Sequence, residues 1–312
     1  MTNPSATTDD APAHGPDARG AGEDENPLRN VRLSFVGVGM MAEAIIAGLL
    51  KGRLVAPEQM TGSHPRAARR EELEAKYGLR MFAGNREAVE ANRDAGAADD
   101  ADAPPHGSIV VLAVKPQKLG SVTKELKGAL AQEQLVLSVI AGARTETIAG
   151  ELLHSSVVRA MPNTPAQVGA GMTVWTATPE VSERQAAEVR AMLGALGREM
   201  RVEEERQIDM ATALSATGPT YVFLVMEALT DAGVHMGFSR HVAQELVQQT
   251  ILGSVLFARE SHKHPAELRN MVTSPGGTSA EAIYQMEKGS LRTVLSKAVY
   301  AAYQRAVALG RK

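Results

Sequence analysis

The sequence contains no cysteine. Disulfides, thiolate metal sites and a cysteine nucleophile are therefore excluded, and the expected location is cytoplasmic. An excess of one charge is also lacking. The formal net charge is −3 over 312 residues, so the bulk charge points neither to nucleic acid nor to an anionic membrane. No apolar run reaches the length needed to span a bilayer. Met1 to Asn26 lacks the basic start and apolar centre of a secretory signal and is too acidic for a transit peptide. Residues 1–29 read as a disordered acidic tail. No metal is expected: His262-Lys263-His264 has ligand-like spacing but lies in a polar stretch before Pro265 and reads as a solvated loop. What remains is a globular composition, 44% hydrophobic and 22% charged, long enough for two domains with a sizeable core.

Val31 to Val36 is a short β-rich run that meets Gly37 and turns at once into helix-forming residues, Met40 to Leu50. Further strands are predicted at Gln59 to Gly62, Ser108 to Val114 and Leu135 to Ala141, with helices between them, such as Arg66 to Tyr77 and Leu119 to Ala131. Strand alternating with helix implies a parallel, doubly wound α/β sheet of the Rossmann type, assigned to residues 30–198. Asn92 to Gly107, rich in Asp, Ala, Pro and Gly, reads as a surface insertion within it. After about Arg198 the strand signals stop. Residues 199–312 read as an all-α domain with helices at Glu203 to Leu214, Thr220 to Ala232, Ser239 to Glu260, Ser279 to Lys288 and Leu291 to Gly310. Ser239 and Ser290 are the expected N-caps, and Gly233 and Gly289 the expected stops. The run Tyr221 to Met226 is apolar on nearly every side. A helix of that kind must be buried all round, which in a small helical domain calls for a second copy of the chain.

Gly37-Val38-Gly39-Met40-Met41-Ala42 is G-x-G-x-x-A between a strand and a helix. Gly37 allows the tight turn, Gly39 lets a pyrophosphate approach the backbone, and Ala42 permits close packing of helix on strand. Met40 and Met41 contribute backbone N–H groups at the helix start. This is a dinucleotide site. The second strand ends Thr61-Gly62-Ser63-His64-Pro65-Arg66, without the carboxylate that an NAD site places on the ribose. Ser63 and Arg66 are the candidates for a 2′-phosphate, so NADPH is the expected cofactor, with NADH as a possible second. Ala113-Val114-Lys115-Pro116 ends a buried strand and should line the same cleft, with Lys115 neutralising cofactor phosphate, capping the strand end or serving as a general acid; Asn85 and Asn163 complete the expected cofactor contacts. Ser274-Pro275-Gly276-Gly277-Thr278-Ser279 precedes a helix in the helical domain. Its backbone N–H groups offer a site for a carboxylate and its hydroxyls can hydrogen-bond a substrate nitrogen.

The order G-x-G-x-x-A, V-K-P-Q, M-P-N-T-P (Met161 to Pro165) and S-P-G-G-T resembles the pyrroline-5-carboxylate reductase family over roughly Val31 to Gly310. The resemblance implies a Rossmann domain followed by a helical domain that intertwines with its dimer mate, and often a ring of five dimers. It implies reduction of 1-pyrroline-5-carboxylate to L-proline with NADPH or NADH, the last step of proline biosynthesis. It places the substrate carboxylate on Ser274, Gly276, Gly277 and Thr278 and the ring nitrogen on the hydroxyl at Ser279, the expected catalytic residue, where the family has threonine. A second departure is Ser215-Ala216-Thr217-Gly218-Pro219-Thr220-Tyr221, where the family has S-G-S-G-P-A-Y. Two other functions share this frame: a related reductase acting on another cyclic imine, and a protein that senses NADP without turnover.

Overall fold

The computed structural model describes residues 26–96 and 108–310. The expected tail, as far as residue 25, and the expected insertion from residue 97 onward lie outside the described residues. Both expected ranges extend too far into the fold. Leu28 is fully buried, and the Gln59 amide donates to the carbonyls of Leu28, Arg29 and Val31 at 2.8–3.1 Å. Residues 26–29 are therefore packed against the sheet. At the other site, Asn92 is 1% exposed and its amide donates to the Ser34 hydroxyl at 3.2 Å. It is a core residue of a helix that runs to Gly96.

Eight strands form one sheet: β1 Arg32–Val36, β2 Met60–Ser63, β3 Arg80–Phe82, β4 Ser108–Leu112, β5 Leu135–Ser138, β6 Val157–Met161, β7 Gly171–Ala177 and β8 Gly197–Arg201. Their order is β3-β2-β1-β4-β5-β6-β7-β8, parallel throughout except where β7 runs against β6. Sequence periodicity does not resolve β3, β7 or β8, and β8 carries the sheet past the point where strand signals fade. The helices of this half are α1 Met40–Lys51, α2 Ala67–Tyr77, α3 Asn85–Gly96, α4 Leu119–Leu126, α5 Thr145–Leu152 and α6 Glu183–Gly194.

Successive strand residues point to opposite faces, and both faces are covered. Leu33, Phe35, Ile109, Val111, Leu135 and Leu137 meet Ile45, Ile46 and Leu49 of α1 and Val189, Met192 and Leu193 of α6. Val36, Val110, Leu112 and Val136 meet Val122 and Leu126 of α4 and Ile148 and Leu152 of α5. Strands buried on both faces read as continuous apolar runs, which is why β1, β4 and β5 are visible in the sequence. Each fully buried leucine contributes about 2 kcal/mol by leaving water.

The second half is helical: α7 Arg206–Ala211, a π-helical turn Thr212–Ala216, α8 Gly218–His235, α9 Arg240–Ser261, α10 Pro265–Met271, α11 Thr278–Lys288 and α12 Leu291–Leu309. Ser239 caps α9 by accepting from the Val242 N–H. Gly233 does not stop α8. It lies inside the helix against α9, where a Cβ would sit 3.0 Å from the Ala243 methyl group. Ser290 precedes α12 in the left-handed region (φ 58°) and its side chain caps nothing. Helix α8 packs on α9, and α12 packs on α7, the π-turn and α11. Few side chains here are buried. Phe223 is 60% and Leu224 65% exposed, and Leu252, Val255, Val294 and Tyr300 are also exposed. The helix expected to be buried on all sides is open on the single chain.

Candidate active site

The chain leaves β1 through Gly37, whose φ is +84° and whose Cβ, if it had one, would lie 2.5 Å from the Val114 Cγ1. Only glycine fits both the backbone and the space. This packing sets the glycine loop of β1 against the Ala113-Val114-Lys115-Pro116 segment after β4, at the carboxyl ends of adjacent strands, where the strand order reverses. Gly39 is the N-cap of α1. No side chain caps the helix, and the space beside Gly39 is open. The first N–H groups of α1, at Met40, Met41 and Ala42, have no intrahelical partner. Together with the helix dipole they form an anion site.

Ser63 is 1% exposed. Its hydroxyl accepts from the Gly37 N–H at 3.1 Å and donates to the Asn85 Oδ1 at 2.7 Å. Asn85 in turn donates from its N–H and its side-chain amide to Glu125 of α4 at 2.7 and 2.6 Å. From sequence, Ser63 is expected on a 2′-phosphate and Asn85 on the cofactor. The structure commits the Ser63 hydroxyl to the Gly37 N–H, so it braces the glycine loop, and bonds Asn85 to Ser63 and Glu125 and not to the loop itself. Asn163 is committed in the same way: its Oδ1 accepts from the Met172 N–H at 2.9 Å, and its amide faces the Ser215 carbonyl at 3.4 Å.

Of the three arginines after β2, Arg69 binds Glu43 and Glu72. Arg70 donates to the carbonyls of His64 and Pro65 at 2.9 and 3.0 Å. Arg66 is exposed, and its guanidinium makes no ion pair with any described residue. It stands at the N-cap of α2, three residues after Ser63, whose carbonyl accepts from the Val38 N–H of the glycine loop at 3.0 Å. Burial, reinforced by the positive charge of Arg66, Arg69 and Arg70, holds the His64 imidazole below its ordinary pKa. Lys115 is exposed at the start of the short 3₁₀ turn Pro116–Lys118.

In the helical half, Ser274 to Gly277 form a turn closed by the Gly277 N–H donating to the Ser274 carbonyl at 3.0 Å, with Gly276 at φ +70°. Pro275 and Gly276 are the residues a type II turn requires at its centre. A Cβ on Gly277 would lie 2.5 Å from the Ser274 Oγ. The turn uses the Gly277 N–H, so that group is not free for a ligand. Open instead are the first N–H groups of α11, at Thr278 and Ser279, which no side chain caps. Among the described residues the Ser279 hydroxyl makes no hydrogen bond, and no side-chain hydrogen bond joins this turn to the sheet half. No described group of three His, Cys, Asp or Glu is placed to hold a metal ion. His264 caps α10 by accepting from the Ala266 N–H.

Sequence reasoning places Arg159 at the head of a proline-bounded loop, Arg159 to Pro165, and misses both its position inside β6 and its partners. It is 2% exposed on β6 and pairs with Glu205 at 3.0 Å and Asp209 at 2.6 Å. An arginine inside Val157-Val158-Arg159-Ala160 is the available signal, because a charge in a buried strand must find a partner. The partners lie some fifty residues on, in a helix whose placement no local pattern gives.

A doubly wound sheet with a glycine loop opening on an uncapped helix, joined to a helical half with exposed apolar faces, defines a self-associating, dinucleotide-dependent oxidoreductase. Residues 205–309 match the family model described as pyrroline-5-carboxylate reductase dimerisation. Residues 32–142 match that of NADP oxidoreductases, coenzyme F420-dependent. The pyrroline-5-carboxylate reductase of Synechocystis is 38% identical over 91% of this chain and 100% of its own, and that of Pseudomonas aeruginosa 37% over 90% and 97%. The Plasmodium falciparum pyrroline carboxylate reductase, solved with NADP bound, superposes with a TM-score of 0.78 at 30% identity, covering 91% of this chain and 99% of its own. The chain belongs to the pyrroline-5-carboxylate reductase family.

Proposed function

We propose that this protein reduces 1-pyrroline-5-carboxylate to L-proline, the last step of proline biosynthesis, using NADPH and secondarily NADH, as a cytoplasmic homodimer that assembles further into a ring of five dimers. The observation that carries the reading is the S-P-G-G-T turn. It leads into an uncapped helix beside an unpartnered serine hydroxyl, in a chain whose other half fits a dinucleotide. The sheet domain is taken as residues 26–201, which keeps β8 whole, and the helical domain as the residues that follow. Among the described residues no helix is long and apolar enough to cross a membrane. The exposed faces of α8, α9 and α12, and an apolar groove of about 770 Å³ lined by Met210, Leu214, Leu295, Val299, Tyr300 and Tyr303, support the dimer.

Gly37, Gly39 and the N–H groups of Met40, Met41 and Ala42 hold the pyrophosphate, Arg66 the 2′-phosphate, and Ala113 to Pro116 line the nicotinamide side. The nicotinamide, when bound, supplies a hydride to the imine carbon. The Thr278 and Ser279 N–H groups bind the substrate carboxylate, with Ser274 and Gly276 shaping the turn. The Ser279 hydroxyl orients the ring nitrogen. A serine without a basic partner is a poor acid, so its task is orientation, and solvent water delivers the proton to that nitrogen.

The test is oxidation of NADPH, followed by its absorbance, on addition of 1-pyrroline-5-carboxylate to purified protein, with proline identified as product. Substrate-dependent oxidation yielding proline is expected. NADPH binding without turnover would favour a different imine or a sensor. Ser279→Ala should lower kcat by about 10–100-fold with NADPH affinity unchanged, and unchanged turnover would remove Ser279 from the chemistry.

A further inference from the structure

Arg159 leaves the middle of the sheet, between Ser138 of β5 and Thr176 of β7. Its guanidinium is divided between two carboxylates, Glu205 through one terminal nitrogen and Asp209 through the other. Glu205 and Asp209 lie four residues apart, so they share one face of the chain entering and forming α7. Glu205 also accepts from the N–H and hydroxyl of Thr145, at 2.9 and 3.0 Å, at the first position of α5. One positive and two negative side chains leave a net negative charge, which the N-terminus of α5 offsets. The cluster thus ties three elements together, with Arg159 and Asp209 buried and Glu205 partly exposed: β6, the start of α5 and the first helix of the helical half.

The reach of the cluster comes from the segments on either side of it. Past β6, Asn163 faces Ser215 in the π-turn that continues α7. Helix α12 packs on both α7 and the π-turn, and α11, which begins with the S-P-G-G-T turn, packs on α12. The helical half is therefore anchored on β6 at Arg159 and again near Asn163, and the substrate turn hangs from that anchor. A buried ion cluster is a poor device for stability alone, since apolar side chains of similar volume serve as well or better. What it adds is directional: a planar fork held by two carboxylates admits one relative placement of sheet and helix.

We propose that Arg159, held by Glu205 and Asp209, is a positioning residue for the reaction, fixing the substrate turn of the helical half relative to the dinucleotide cleft. The proposal rests on the function proposed above for that turn. Arg159 touches neither substrate nor cofactor in it, and its effect passes through α7, the π-turn and α12.

The test compares wild type, Asp209→Asn, Arg159→Lys and an apolar pair, Arg159→Met with Asp209→Leu, made together with Glu205→Gln so that no carboxylate of the cluster is left without its partner. The apolar pair is expected to keep the dimer and a melting temperature near that of wild type, with NADPH affinity changed less than about twofold. Its kcat/KM for 1-pyrroline-5-carboxylate should fall about tenfold or more. Arg159→Lys, whose single ammonium cannot span both carboxylates, should recover only part of that loss. Amide hydrogen exchange in the apolar pair should rise at residues 212–216 and 273–279 and stay unchanged at residues 37–42. A folded, dimeric pair with wild-type kcat/KM and unchanged exchange at 273–279 would overturn the proposal, as would equal loss of NADPH binding. Should the pair fail to fold, Asp209→Asn, which keeps shape and an acceptor, carries the same comparison with the same outcomes. If wild type proves inactive on 1-pyrroline-5-carboxylate, the functional reading fails by itself, while the exchange experiment still decides whether Arg159 governs the turn.

Discussion

The two halves of this chain handle apolar surface in opposite ways. In the sheet half, strands and helices cover one another, and residues such as Leu33, Leu135 and Met192 are fully buried. In the helical half, α8 presents Phe223 and Leu224 largely to solvent, and α9 and α12 do the same with Leu252, Val255 and Val294. The difference shows which half closes on itself. The sheet half holds its own core, and every residue of the proposed dinucleotide site lies within it. The helical half, which carries the proposed substrate turn, needs another surface to complete it.

The most direct way to break this contrast is at α8. Phe223→Glu with Leu224→Glu should dissociate the dimer, seen by sedimentation velocity, and abolish turnover, because charges placed in an apolar interface cost several kcal/mol. Leu135→Ala should instead cost about 2–5 kcal/mol in urea unfolding while leaving the dimer intact. If the α8 variant stays dimeric and active, the exposed face is not the interface and the contrast between the halves loses its meaning.

A smaller effect is expected inside the sheet half. Gly37→Ala places a methyl group against Val114 at a left-handed backbone position. It should weaken NADPH binding by about 100-fold, measured by fluorescence titration, with dimerisation unaffected. Smaller again is Arg66→Ala, which should weaken NADPH by about tenfold and NADH hardly at all. Equal weakening of both would show that Arg66 does not read the 2′-phosphate.

The same contrast explains what is legible in the sequence. The sheet half is readable where patterns are local: the apolar runs of β1, β4 and β5, the G-x-G-x-x-A loop, and the lack of an acid after β2. The ends of the helical elements are readable at Ser239, where a cap acts over three residues, and misleading at Gly233, where the deciding contact is Ala243 on another helix. Ser63, Asn85 and Asn163 stand out as members of the site, but their tasks do not. A polar side chain near a cleft looks the same in sequence whether it faces a ligand or braces the loop beneath it. The Arg159 cluster needs the three-dimensional fold, because its members come from β6, the start of α5 and α7.

The finest test concerns how the sheet half holds its first two helices together. Glu43 in the first turn of α1 accepts from Lys76 at 2.8 Å and from the Tyr77 hydroxyl at 2.9 Å, and it pairs with Arg69, all on α2. Burial alone would raise its carboxyl, but these three donors outweigh burial and hold it below the ordinary value of 4.5. A carboxylate whose folded pKa is depressed stabilises the fold fully above its unfolded pKa and loses that contribution as pH falls through the folded value. Arg69 and Lys76 stay protonated across that window, so Glu43 is the member of the cluster that titrates. Wild type should therefore exceed Glu43→Gln in unfolding free energy by roughly 1 kcal/mol near neutral pH. The gap should close below pH 4.5. Urea unfolding at fixed protein concentration, repeated at falling pH, measures it. A gap that stays constant with pH would mean that α1 and α2 are joined by packing of Glu43 alone and not by its charge.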